Sequence, residues 1–470
     1  MSTALNAATD PMPHLVRHVA NLAFDDLPPS AIACAKTFIL DTLGVGIAGA
    51  NGTGVANLRK LAQTWGREPE ATVWGSGERL PAASAALVNG YQIHSLEYDC
   101  VHERAVLHPM AAILSAAIAF SERRVAHDGA PVDGRSFIAA IVAAVDLATF
   151  LGFAARGSLR FFRPSTAGGF GAAAAIAKLS GFDEHQVANA LGIQYSQASG
   201  TMQAHVEGSP CLALQVGFAG RAGLVSADLA GAGFEGPKDI LTGRHGYFRL
   251  FENDRFAIDG EIERIGRDYQ VEELAHKPFP SGRLTHGTID ALMQFQSRHG
   301  FKAEDMASLE CFVPPVVARQ VGRPDIATPD PNYAKLCIPF VAATFLRHGR
   351  VDVGEFLGAE MLNDPITHAL AGRVMVTEDD NPDLNAMNPQ RFVLTLKNGD
   401  RHELILNHVL GHPKAPLTAA QNVDKFMRNW ATNPALATAD GERLAETIAQ
   451  LETVKDITDI TRLMVPADLR

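Results

Sequence analysis

Residues 94–109, HSLEYDCVHERAVLHP, place three histidines, two glutamates and an aspartate in sixteen positions. Such a density of titratable groups suits either a metal centre or an acid–base site. A zincin needs two histidines at i and i+4 on one helix face. In HERAVLH the second histidine follows the first by six residues and Val106 occupies the required place, so no metal is expected here and acid–base chemistry is. His94, Glu97 and Tyr98 have i, i+3, i+4 spacing, which predicts a helix to about residue 99 that presents them together. His108 and Pro109 precede the apolar run MAAILSAAIAF, where proline suits a first helical turn and the free amides can face an anion. The plain alternative is a satisfied core histidine with solvated carboxylates.

Two further segments carry groups able to hold an anion. In RPSTAGGFGAAAAIAK, residues 163–178, three glycines precede an alanine-rich helix. Ser165 and Thr166 are expected to cap it, and Arg163 stands beside its amides. The segment is not GxGxxG and no strand leads into it, so a dinucleotide site is not expected; glycines placed for close helix packing are the alternative. In HKPFPSGRLTH, residues 276–286, two prolines bracket Phe279 and force an extended path. Lys277, Ser281, Arg283 and His286 therefore sit on a stiff loop at an expected domain junction, a favoured place for ligands. Its alternative is a solvated linker.

The elements that must position these groups are mostly helices. From about residue 13 to 270 one helical pattern follows another. LPPSAIACAKTFILDTLGVGIAGA opens on prolines and a serine cap and ends in glycine, and Asp183 with Gln186 has capping-box spacing. After residue 270 β-branched runs emerge in SLECFVPPVVARQVG and GRVMVTED. RFVLTLKNGDRHELILNHVLG places Asn398-Gly399 between two strand-like runs, which predicts a hairpin with a type I′ turn. VDVGEFLGAEMLNDPITHALAGRV reads as helical, and the last fifty residues return to helical periodicity and are expected to pack back on the first part.

Composition narrows the function classes. The chain has 470 residues, enough for more than one domain, and 47% of them are apolar. A formal charge of −11 and the lack of Lys/Arg clusters disfavour nucleic acid. Five scattered cysteines, Cys34, Cys100, Cys211, Cys311 and Cys337, form no CxxC pair and are expected to be reduced, which suits the cytoplasm. No secretory signal is evident at the N-terminus. The apolar stretches AAILSAAIAF and FIAAIVAAVDLATFLGFAA fall short of a clean membrane span and are expected to be buried helices.

The same segments carry a resemblance. FILDTLGVGIAGA, AALVNGYQIHSLEYDCVHERAVLHP, PSTAGGFGAAAAIAKLSGFDEHQVANALGI, KPFPSGRLTHGTIDA and AKLCIPFVAA together resemble the MmgE/PrpD superfamily, which includes 2-methylcitrate dehydratase, cis-aconitate decarboxylase and iminodisuccinate epimerase. The resemblance implies a mainly α fold: a large all-α domain from residues 1–272 and 411–470, and a smaller α+β lid over 273–410. It also implies a homodimer, an interdomain cleft, and chemistry without metal or organic cofactor. Asp99, His108, Lys277 and His286 stand where the family places active-site polar residues, and Glu97 where its decarboxylase-like members have an acid. Three positions depart: Arg163 replaces a histidine, Leu212 a lysine, and Phe340 a tyrosine.

The family's reactions share one difficulty, negative charge on carbon beside a carboxylate, so the site must supply a base, an acid and fixed cations. The leading expectation is a hydro-lyase acting on a small hydroxy-carboxylate other than methylcitrate. His108 or Asp99 takes the α-proton, Lys277 and Arg163 hold the carboxylate and the enediolate charge, and His286 serves as acid. Glu97, Ser165, Thr166, Ser281 and Arg283 complete the binding shell. An epimerase or isomerase of a dicarboxylate, a cis-aconitate decarboxylase-like enzyme and a catalytically silent carboxylate-binding protein are the alternatives.

Overall fold

Alanine and glycine on facing surfaces let the helices of the N-terminal half lie backbone to backbone. The computed structural model describes residues 10–469. It is mainly helical, with a small sheet region toward the C-terminus. The long helices are α1 (Pro29–Gly49), α2 (Ala82–Ser95), α3 (Pro109–Asp128), α4 (Gly134–Phe153), α5 (Gly168–Leu179) and α6 (Cys211–Gly231). Where α2 crosses α6, a Cβ on Gly217 would stand 2.4 Å from the carbonyl oxygen of Leu87, so glycine is required for the approach. By length and composition α1 and α4 are long and apolar enough to cross a membrane, contrary to the expectation that this stretch of α4 falls short; 72% and 94% of their apolar windows are buried against the rest of the protein.

The caps follow the sequence in part. Asp183 accepts from the Gln186 amide at 2.8 Å and the Gln186 side chain answers, a reciprocal box. Ser30 makes no cap: α1 starts on Pro29, whose fixed φ and missing N–H suit a first turn.

The C-terminal half adds a sheet. Two short strands, β1 (Val101–His102) and β2 (Leu274–Ala275), pair antiparallel. A four-stranded sheet follows, built from β3 (Met306–Val313), β4 (Val374–Glu378), β5 (Gln390–Leu396) and β6 (Arg401–Leu406) in the order β4-β3-β5-β6. Helices α7 (His286–His299) and α8 (Ile338–His348) pack on it. PPVVARQV, expected as strand, is helical over Pro315–Val321 because its prolines occupy the N-cap and the first helical position. The expected helix over 351–374 forms as short pieces, among them Ala359–Leu362 and Pro365–Ala371.

The β5–β6 hairpin exists with a different turn. The amide of Leu396 donates to the Asp400 carbonyl at 2.8 Å, enclosing a three-residue loop in which Gly399 alone is left-handed, at φ 95°. A type I′ turn needs positive φ at both central residues. Asn398 instead accepts from the Asp400 amide through its side chain. Helix α9 (Ala419–Trp430) then returns the chain to α1, with Lys425 Nζ 2.6 Å from Asp41 and Phe426 filling the space a side chain on Gly44 would need.

Candidate active site

Helix α2 stops at Ser95, four residues before the sequence spacing suggests, and Glu97 turns the chain at φ 52°. A left-handed turn still folds Glu97 back beneath His94. The Nε2 of His94 lies 3.2 Å from Glu97 Oε1, poorly aligned for a hydrogen bond, and its Nδ1 lies 3.0 Å from Asp99. The pairing of β1 with β2 lays the 276–286 loop beside this turn. Lys277 Nζ reaches Glu97 Oε2 and the Glu97 carbonyl, each at 3.1 Å, and is fully buried. Two other buried ammoniums donate to the same turn, Lys335 to the Ser95 carbonyl at 3.4 Å and Lys425 to the Tyr98 carbonyl at 3.1 Å. Carbonyls beyond a helix C-terminus carry its partial negative charge, which favours cations there.

His108 is the N-cap of α3 and hydrogen-bonds the Cys100 carbonyl through Nδ1 at 2.9 Å, with Asp99 at 3.5 Å from the same nitrogen. A carbonyl only accepts, so Nδ1 carries the proton and Nε2 holds a lone pair. Burial and then Lys277 lower the His108 pKa, against the pull of Asp99, so the ring is neutral. Its neighbour behaves oppositely. Burial disfavours charge on His94, but Asp99 and Glu97 outweigh it and raise the pKa to about 10. The two carboxylates pay the same burial penalty and are nonetheless held well below the ordinary range, Glu97 by Lys277 and His94, Asp99 by His94 and His108. The imidazole centroids are 5.0 Å apart. A neutral and a cationic histidine side by side, split by their surroundings, is the pattern of a base beside an acid.

His94, Glu97 and His108 line a cleft whose other walls come from 101, 106, 159, 162, 164, 202, 205, 282–284, 320–321, 336 and 387. Asp99 and Lys277 sit behind these groups. The remaining sequence candidates are placed otherwise. Arg163 is buried in a bidentate pair with Glu252, both bonds 2.9 Å, so its guanidinium is already matched. Ser165 donates to the Gln215 carbonyl and Thr166 shares a hydrogen bond with Tyr247; neither caps the glycine segment, because Arg163–Thr166 is itself a helical turn. Ser281 bonds Thr285. Arg283 borders the cleft but spends its donors on Glu103 and the carbonyls of His276, Val409 and Leu410. His286 is buried against Ser281, and burial followed by Arg283 drives its pKa well down, so it is neutral. The 276–286 loop is thus no solvated linker: Lys277, Ser281, Arg283 and His286 are all buried.

Sequence reasoning placed His94 in a helical triplet without assigning it a role; the signal was its spacing from Glu97. It also passed over Lys335, inside AKLCIP, whose pKa is lowered to about 8 by burial, with Glu97 and Lys277 acting in opposite senses. A buried lysine next to an apolar run looks like an edge of the core when only sequence is read. His94, Lys277 and Lys335 set three cationic groups against the carboxylates of Glu97 and Asp99. Such an excess would stabilise an anion formed above them.

Among the described residues, His94, Asp99 and His108 offer ligand atoms within 4.8 Å of one another, close enough to hold a metal ion. The HExxH comparison could not find this trio, because it draws on a helix end, a turn and the next helix start.

The family model of the MmgE/PrpD N-terminal domain matches residues 13–258, and that of the C-terminal domain matches 279–453. The chain is 28% identical to the cis-aconitate decarboxylase of Mus musculus over 95% of its length and 91% of the relative's. It is 27% identical to that of Homo sapiens, covering 95% and 92%. It is 30% identical to that of Aspergillus terreus, covering 63% and 62%. With both domain models matched across nearly the whole sequence, the chain belongs to the MmgE/PrpD family.

Proposed function

We propose that the protein is a lyase that eliminates water from a small hydroxy-carboxylate by taking the α-proton. The observation that carries this reading is the split pair of imidazoles on one carboxylate: neutral His108 with its Nε2 lone pair, and cationic His94. His108 Nε2 accepts the α-proton. The electron pair of the broken C–H bond spreads into the substrate carboxylate as an enediolate, under the field of Lys277 and Lys335. Those electrons then form the double bond as the β-hydroxyl leaves, taking a proton from His94 to depart as water. The acid role expected of His286 passes to His94, because a neutral imidazole is too weak an acid to give up its proton. Asp99 lies 3.0 and 3.5 Å from the two rings and holds both in place, and the proton taken by His108 leaves to solvent after product release. General acid–base help of this kind contributes about 10²- to 10⁴-fold.

A second reading, decarboxylation, is favoured by the activity named for the relatives. There the carbanion forms by loss of CO₂, and His94 serves only to protonate it. We further propose that residues 273–410 act as a lid on a helical body of 1–272 and 411–470, and that the protein is a cytoplasmic homodimer. Its five free cysteines support a reducing compartment; sedimentation at graded concentrations tests the dimer. The reaction is tested by incubating the protein with a panel of hydroxy di- and tricarboxylates while following enoate absorbance, CO₂ release and α-deuterium exchange. Enoate formation supports the hydro-lyase and CO₂ release the decarboxylase. Exchange without either replaces both with an epimerase, and a folded protein inert to every substrate overturns the enzymatic reading.

A further inference from the structure

The cleft has a second polar group, far along the sequence from the 94–108 cluster. His205, in the short helix Gln203–Glu207, is 9% exposed and lines the cleft. Arg323 Nη2 stands 3.3 Å from its Nδ1 and also donates to the carbonyls of His205 and Gln320, at 3.1 and 3.0 Å. A guanidinium has only donors, so this contact favours the tautomer in which Nδ1 accepts, sharing Nη2 with the two carbonyls, and the imidazole proton resides on Nε2. Burial and then Arg323 lower the His205 pKa to about 4, which keeps that tautomer neutral near pH 7. Among the described residues Nε2 has no protein partner, so the cleft holds one fixed N–H donor that the protein leaves unused.

Besides Gln320 and the polar cluster around His94, the walls that face this space are apolar: Leu159, Phe162, Met202, Val321, Leu336 and Met387. The other cations that could receive further carboxylates are absent or have their donors engaged, Arg323 itself by His205 and by the carbonyls of His205, Val206 and Gln320. Arg163 is matched by Glu252, Arg283 is saturated by Glu103 and three carbonyls, and Leu212 is a buried leucine. A buried carboxylate without a cation is strongly disfavoured, whereas an alkyl group gains from leaving water for such walls.

We propose that His205, positioned by Arg323, is the specificity-determining donor of this cleft, and that its occupant is a small mono- or dicarboxylate bearing an apolar arm, not a tricarboxylate. The proposal rests on reading the cleft as the substrate site. One carboxylate lies toward His94, Lys277 and Lys335; an oxygen of the ligand accepts from His205 Nε2; the arm lies along Phe162 and Met387.

Equilibrium calorimetry on the full-length chain with succinate, 2-butylsuccinate and tricarballylate tests it. The expected order places 2-butylsuccinate at least about tenfold tighter than both others. His205→Leu should weaken 2-butylsuccinate about tenfold, and His205→Gln, which retains an N–H donor, should recover most of the loss. Tricarballylate binding as tightly as 2-butylsuccinate, no binding of any of the three, or a His205→Leu protein indistinguishable from the parent overturns the proposal. The ligand series uses the parent chain, so it stands even if a variant fails to fold. Binding is read without turnover: a protein that binds 2-butylsuccinate but turns over nothing removes the lyase reading and leaves this one, and a working lyase that prefers tricarballylate does the reverse.

Discussion

The protonation states of two adjacent imidazoles decide what this site can do, and each is testable by one substitution. His108→Asn keeps a side-chain N–H able to reach the Cys100 carbonyl but removes the basic lone pair. On a substrate found by the panel, kcat should fall about 10²- to 10⁴-fold with KM changed little; an unchanged kcat would move the base elsewhere. His94→Gln removes the cation between Glu97 and Asp99 and should cost about 3–5 kcal/mol, because buried carboxylates lose their partner. The pH dependence has a definite sign. A histidine raised from 6.5 to about 10 contributes stability that is fully present below about 6.5 and is lost as pH rises toward 10. Glu97 and Asp99, both depressed, contribute above their ordinary carboxylate values and lose that contribution as pH falls through their lowered ones. Urea unfolding of parent and variant should therefore differ most near pH 6 and much less near pH 10. An equal difference at both pH values would show that His94 is neutral. Residue types and spacing pointed to Glu97, His108 and Lys277, and the family resemblance added Asp99; the structure brings the four together. They could not reveal that Arg163 is answered by Glu252, because the two are 89 residues apart and only packing joins them.

At the scale of elements, two of the places where the sequence pattern misled are chain reversals. The i, i+3, i+4 pattern of His94, Glu97 and Tyr98 suggested a continuing helix, yet the backbone turns left-handed at Glu97, and the contact survives because the reversal returns the carboxylate to the same imidazole. Asn398-Gly399 announced the hairpin correctly but not its turn, since loop length is fixed by where the strands stop pairing. The capping box at Asp183 and the proline start of α3 were readable because each is a local device. Glycine in the α2–α6 crossing is not local: Gly217 sits mid-helix, where propensity alone would prefer alanine. Its Cβ would press on the Leu87 carbonyl at 2.4 Å, on the helix that carries His94. Gly217→Ala should thus lower stability by about 1–3 kcal/mol despite its better propensity. It should also lower kcat by displacing His94. Thermal melts alongside kinetics check both, and a stabilised, fully active variant would mean that the helices can part without consequence.

Over the whole molecule, the polypeptide closes on itself through one buried ion pair. Lys425, on α9, lies 2.6 Å from Asp41 on α1 and also donates to the Tyr98 carbonyl in the turn that carries Glu97 and Asp99. The C-terminal segment therefore supports the active turn from behind as well as covering α1 with Phe426, which is 1% exposed. Helical periodicity in the last fifty residues predicted the return, but not its electrostatic content. Removing one partner of a buried pair leaves the other uncompensated, at a cost of about 3–5 kcal/mol. Lys425→Met should lower stability by that amount and also slow catalysis, because the Tyr98 carbonyl loses its ammonium. The double variant Lys425→Met with Asp41→Leu removes both charges and should regain most of the stability while catalysis stays slow. Denaturant curves for the three proteins, read beside kcat, separate the two effects. Recovery of stability and rate together would show that the turn needs only a well-packed neighbour, and that the ammonium at Tyr98 is without consequence for the chemistry.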